Sequence, residues 1–271
     1  MLSNPSPKNP IGIFDSGIGG LTVAKSIFEQ LPSEDIIYLG DTARLPYGTK
    51  SRETVILYSI ECVKFLLKRK VKMIIIACNT ASSVAIPFLK KITKIPVIGV
   101  IEPGATAAAK NTIKDRIGVI GTNGTINSKA YDLNIQKINK KIKVYSQVCS
   151  LFVQLAEEGW TDNKITGLIC KEYLSPLKNK NIDTVILGCT HYPVLKKPIQ
   201  KTLGKNIKLI DSGFETAKEV KNILLKKKLS NTKNKKGNHR FFVTDYPNKF
   251  QEVSERFLGQ KILDVKKIKL N

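Results

Sequence analysis

Two short apolar runs, Met73-Ile74-Ile75-Ile76-Ala77 and Thr184-Val185-Ile186-Leu187-Gly188, each stop at a cysteine and turn polar at once, as Cys78-Asn79-Thr80 and Cys189-Thr190-His191. Runs this short and uniformly apolar suit strands buried on both faces, and such strands belong to parallel sheets with helical crossovers. The flanking sequence supplies those crossovers. Residues 11–14 form a first strand, Asp15-Ser16-Gly17-Ile18-Gly19-Gly20 a tight turn, and a helix starts near Leu21. Residues 36–39 form a strand ending at Gly40-Asp41, a polar loop carries Tyr47-Gly48, and apolar spacing predicts a helix over 51–68. Beyond Cys78 the pattern predicts a helix over 84–90 and a strand at 97–100. Alternation of this kind specifies an α/β fold.

The pattern then begins again. Arg116-Ile117-Gly118-Val119-Ile120-Gly121-Thr122 echoes the first strand and its glycine turn 106 residues on, and Cys189 follows Cys78 by 111. Offsets this close predict a duplicated unit: two pseudo-symmetric α/β domains with mainly parallel sheets and a cleft between them. Toward the end, the tract from Lys221 to Gly237 reads as an exposed loop preceded by a helix. A strand over 240–243, a turn at Thr244-Asp245-Tyr246-Pro247 and a helix over 250–258 follow, the helix turning Phe250, Val253 and Phe257 inward.

Composition removes several alternatives. No apolar run approaches the ~18 residues of a membrane span. Residues 1–10 hold three prolines and no apolar stretch of the kind a signal peptide carries, so a cytoplasmic protein is expected. Five cysteines, widely spaced and without a C-x-x-C pair, argue against a disulfide framework and against a zinc site. The net charge of +23 raises the question of nucleic acid, most of all between Lys221 and Arg240, where eight basic residues meet no acidic one. No helix-turn-helix, RNP or zinc-finger pattern accompanies that charge, so a solvated lysine-rich surface is favoured over a basic nucleic-acid-binding protein.

In a parallel sheet, ligands bind beyond the carboxyl ends of the strands, and both Cys78 and Cys189 fall there. A helix N-terminus lowers a thiol pKa from about 8.5, so placement alone is expected to activate each sulfur. Cys62, Cys149 and Cys170 lie inside apolar helical or strand patterns and read as core. Two acid/base groups, one from each half, suit removal of a proton from one face of a carbon and its return to the other, which is racemisation or epimerisation. A thiolate is a weak base toward a Cα–H, so the carbanion needs donors around it. Ser16, Asn79, Thr80, Thr122 and Thr190 supply them. His191 is placed to tune Cys189 or move its proton, and Asp15 to do the same beside Cys78. No lysine Schiff-base context and no phosphate cup stands out, so no cofactor is expected. The rival is a dinucleotide site, with Gly17-x-Gly19 after a strand and Asp41 ending the next, but Thr22 occupies the position where the fingerprint needs its third glycine.

Taken together, Ile13-Phe14-Asp15-Ser16-Gly17-Ile18-Gly19-Gly20, Asp41-Thr42-Ala43-Arg44-Leu45-Pro46-Tyr47-Gly48, Ala77-Cys78-Asn79-Thr80-Ala81-Ser82 and Gly188-Cys189-Thr190-His191-Tyr192-Pro193 resemble the glutamate racemases of the aspartate/glutamate racemase superfamily. Val243-Thr244-Asp245 and Phe257-Leu258-Gly259 extend the resemblance over nearly the whole chain. It implies a cofactor-independent two-base interconversion of L- and D-glutamate that supplies peptidoglycan, with Cys189 acting on the L and Cys78 on the D enantiomer. It places substrate contacts on Asp15, Ser16, Tyr47, Gly48, Asn79, Thr80, Thr122, Thr190 and His191, and a further acidic group, Glu157, near the site. It also implies two domains, 1–99 with 212–271 and 100–211, hinged near Gly99 and Asp211. An aspartate racemase is the alternative within the superfamily, although Thr190-His191 looks more like the glutamate branch. The partner is then a small-molecule substrate, without membrane or nucleic acid, and a homodimer is allowed.

Overall fold

The computed structural model describes residues 5–232 and 234–270. In chain order its strands are β1 (Ile11–Asp15), β2 (Ile36–Gly40), β3 (Met73–Ile76), β4 (Val97–Gly99), β5 (Arg116–Gly121), β6 (Lys143–Val148), β7 (Thr184–Gly188), β8 (Lys208–Asp211), β9 (His239–Val243) and β10 (Val265–Lys267). The helices of the first half are α1 (Leu21–Gln30), α2 (Arg52–Lys68), α3 (Asn79–Val84), α4 (Ile86–Ile92) and α5 (Ile101–Asn111). Those of the remainder are α6 (Asn123–Asn127), α7 (Ala130–Ile138), α8 (Leu151–Glu158), α9 (Lys164–Lys178), α10 (Lys196–Leu203), α11 (Ser212–Lys226) and α12 (Pro247–Leu258).

Two sheets result, one ordered β10-β9-β2-β1-β3-β4 and the other β6-β5-β7-β8. Every pairing in both is parallel. The inner order β2-β1-β3-β4 is repeated by β6-β5-β7-β8. Registers agree as well, Ile11 lying opposite Met73 and Ile117 opposite Thr184. The expected duplication is therefore a repeat of topology, to which β9 and β10 add two strands at the β2 edge of the first sheet.

Alternation along the buried strands determines where each cysteine lands. On β3, Ile74, Ile76 and then Cys78 face a cluster with Val55, Cys62 and Leu66 of α2, while Met73, Ile75 and Ala77 face α1 and α11. On β7, Val185, Leu187 and Cys189 share a cluster with Phe152 of α8 and Leu174 of α9, while Ile186 faces α5 and α7. Each such buried aliphatic side chain contributes about 1.5–3 kcal/mol. The strands thus hold the thiols at their carboxyl ends by side-chain period alone.

The residue entering each cysteine strand is anchored by opposite charge chemistry. Lys72, fully buried, donates to the Pro7 carbonyl at 2.7 Å and pairs with Glu34 at 2.5 Å. Asp183 occupies the same place in the repeat. It accepts from the Thr112 hydroxyl at 2.7 Å and from the Ile113 and Lys114 amides at 2.7 and 2.6 Å. Burial pushes its carboxyl up, but those hydrogen bonds prevail and hold it below the usual carboxylate range.

Local expectations need three corrections. The helix expected over 84–90 is two helices meeting at Ala85, because Pro87 opens α4 and has no N–H to continue the ladder of α3. The tract from Lys221 to Gly237 is not all loop, since α11 runs through Lys226. Cys149 does not lie inside a regular element; it follows β6 directly, at a strand end like the other two. Among the described residues, no helix is long and apolar enough to cross a membrane.

Candidate active site

Cys78 leaves β3 and becomes the N-cap of α3, accepting the Ala81 amide at 3.5 Å. The six-residue helix does not activate it as expected. Burial pushes the thiol up to about 12 and the nearby Asp15 charge adds to that, against hydrogen bonds from Ser16 and Ala81. At neutral pH Cys78 is a thiol. Asp15 ends β1 and accepts the Gly17 amide through Oδ2 at 2.9 Å, while its Oδ1 is buried without a partner. Burial raises the Asp15 pKa, opposed by the His191 charge and the local backbone amides.

Cys189 has different company. Its Sγ lies 3.7 Å from Nδ1 of His191, and His191 Nε2 is 2.9 Å from Oε1 of Glu157. Burial disfavours the charged imidazole, but the hydrogen bonds to Cys189 and Glu157 outweigh it and raise His191 to about 10. The ring is an imidazolium at neutral pH, a donor on both nitrogens. Glu157 leaves 36% of its side chain exposed, so the line from sulfur to carboxylate runs from a buried atom out to solvent. Instead of an α-helix, Cys189 leads into the single-turn helix Tyr192–Leu195.

Groups from both halves of the chain meet beside the two cysteines. The Thr22 hydroxyl of α1 donates to the Thr190 carbonyl at 2.8 Å. The glycine turn before α1 serves the same contact: a Cβ on Gly19 would stand 2.4 Å from Nδ1 of His191 and from Oγ1 of Thr190. Close approach of His191, not a dinucleotide phosphate, accounts for that glycine. Thr80, Thr122 and Thr125 form a triangle of hydroxyls at 3.0, 3.3 and 3.1 Å, with Gly48 packed on Thr122. Asn79 accepts the Tyr131 hydroxyl at 2.7 Å, and its Nδ2 is buried without a partner. Tyr47 is placed by its phenol, which donates to Oδ2 of Asp41 at 2.5 Å, so its hydroxyl can meet a ligand only as an acceptor. Asp41 also accepts from Arg44 at 2.7 Å and from Thr244 at 2.9 Å, locking the loop that carries Gly48.

The sequence reading did not anticipate several of these partners. Thr125 repeats Thr122 after three residues, a signal that was there to use. Tyr131 and Asp41 look in sequence like an ordinary core aromatic and a strand-end turn former. Arg256, which donates to the Glu157 carbonyl, carries no local mark, and Phe257, expected to face inward from the same helix α12, meets the His191 edge with its ring at 5.3 Å and 85°. Cys62, Cys149 and Cys170 are fully buried, and burial raises each pKa, that of Cys170 to about 11. Among the described residues, no group of three or more His, Cys, Asp or Glu is placed to hold a metal ion.

Known proteins are similar to this chain in sequence and in fold. The family model described as Asp/Glu/hydantoin racemase matches residues 11–220. A glutamate racemase of Geobacter metallireducens is 53% identical over 264 residues, covering 97% of this chain and 98% of the relative. Among solved structures, glutamate racemase from Francisella tularensis in complex with D-glutamate superposes with a TM-score of 0.92 at 47% identity, over 98% of this chain and 99% of that one. A glutamate racemase isoform from Bacillus anthracis gives 0.93 at 43% identity, over 97% and 98%.

Proposed function

The chain belongs to the Asp/Glu/hydantoin racemase family, and on that premise we propose that it interconverts L- and D-glutamate by proton transfer between two cysteines. One observation carries this reading: Cys78 and Cys189 end equivalent strands of two topologically identical sheets and lie close enough for the charge of one to raise the pKa of the other. A two-base racemase needs that symmetry, because the proton leaves one face of Cα and arrives at the other.

In the L-to-D direction, Cys189 takes the Cα proton and Cys78, held as a thiol by burial, delivers one to the opposite face. The reverse direction exchanges the roles. His191, positively charged between Cys189 and Glu157, lowers the energy of negative charge developing nearby. The unpartnered Asn79 Nδ2 offers a donor to a substrate carboxylate, and Asp15 Oδ1 offers a polar contact to the amino group. Ser16, Thr80, Thr122, Thr190 and the Tyr47-Gly48 backbone complete the enclosure. These side chains supply the acid, the base and the charge stabilisation without a cofactor.

The same reading divides the chain near residues 99 and 211, where β4 and β8 end and Asp211 caps α11 through the Gly213 and Phe214 amides. The enzyme would act in the cytoplasm, supplying D-glutamate to peptidoglycan. Incubating pure protein with L-glutamate in D₂O tests the activity. Loss of optical rotation with deuterium entering Cα is expected. Exchange into aspartate but not glutamate would overturn the substrate.

A further inference from the structure

One side chain touches both cysteine-bearing segments. Tyr131 of α7 is buried, and its hydroxyl donates to Oδ1 of Asn79, the residue following Cys78. Its ring lies against the residue preceding Cys189, where a Cβ on Gly188 would stand 3.2 Å from Cε2. Beside the phenol lies Ser212, whose hydroxyl donates to the Leu187 carbonyl of β7 at 3.1 Å. Burial raises the Tyr131 pKa, which keeps the hydroxyl a donor throughout the neutral range.

An asparagine amide can present either its oxygen or its nitrogen to a ligand. A donor fixed on Oδ1 removes that choice and turns Nδ2 to the other side, where it is buried without a partner. A carboxylate needs a donor at that point and is repelled by an oxygen. We propose that Tyr131 is a positioning residue: it fixes the Asn79 amide toward the substrate carboxylate and sets the spacing between the Cys78 and Cys189 segments. The proposal rests on the glutamate reading above.

Tyr131→Phe keeps the ring against Gly188 and removes only the hydroxyl. The two enantiomers are equal in free energy, so kcat/KM must fall by the same factor for L- and D-glutamate. Because the lost interaction already holds the bound ground state, KM is expected to rise about tenfold for both, with kcat falling less. The diagnostic is a cycle with Asn79→Ala. If Tyr131 acts through Asn79, Tyr131→Phe has no further effect in the Asn79→Ala background, whereas a merely structural contribution would repeat its loss there. D-Glutamate affinity by calorimetry, below the melting temperature of each variant, reads the same cycle independently of turnover. An active wild type with unchanged KM in Tyr131→Phe, or an additive cycle, overturns this proposal alone. A wild type inactive on both enantiomers overturns the glutamate reading and this proposal with it.

Discussion

The two cysteine strands share order, register and length of offset, yet their thiols stand in different electrostatic settings. Cys78 is held protonated by burial and by the neighbouring Asp15 carboxyl group. Cys189 faces a cation, His191, which is in turn held by Glu157. Backbone symmetry places two like groups at equivalent strand ends; side-chain asymmetry sets one beside a carboxyl group and the other beside an imidazole. A racemase with identical settings would begin with both thiols in the same state, and one would have to change before turnover.

Replacing the sulfurs tests the comparison most severely. Cys78→Ser and Cys189→Ser should each lower racemisation on the order of 10³-fold or more. Each should keep one-sided elimination from a leaving-group analogue, on opposite enantiomers, measurable by product release. Full activity in either variant would end the two-base reading. The anchors of the two strands come next. Lys72→Met leaves Glu34 buried without its cation and should cost about 3–5 kcal/mol in denaturant unfolding. Asp183→Ala removes only hydrogen bonds and should cost about 2 kcal/mol.

His191→Asn should lower kcat by about 10²-fold, since it removes the charged partner of one thiol and leaves the other thiol intact. The imidazole also links stability to pH. Its folded pKa of about 10 exceeds the ordinary 6.5, so its contribution is complete below pH 6.5 and is lost as pH rises through 10. Glu157→Gln should shrink that loss and move its upper limit to lower pH, which melting curves across this range would show. The smallest effect belongs to the third strand-end thiol. Cys149 turns its sulfur toward the Gln147 carbonyl at 3.8 Å within the core, so Cys149→Ala should leave kcat unchanged and cost about 1 kcal/mol of stability.

Much of this was legible before any coordinates. Apolar runs of strand length, broken by cysteine and repeated at nearly equal offsets, determine a parallel α/β sheet, its duplication and the two thiols at its carboxyl edge, because strand period and crossover geometry depend on local pattern. The neighbours of those thiols within three residues, Asn79, Thr80, Thr190 and His191, were legible for the same reason. Tertiary structure decided what surrounds them. Glu157 reaches His191 across 34 residues, Tyr131 reaches Asn79 across 52 and Thr22 reaches the Thr190 carbonyl across 168. The state of Cys78 was decided there too. A helix N-terminus favours thiolate, but burial beside a carboxyl group opposes it more strongly, and burial is a property of the packed molecule.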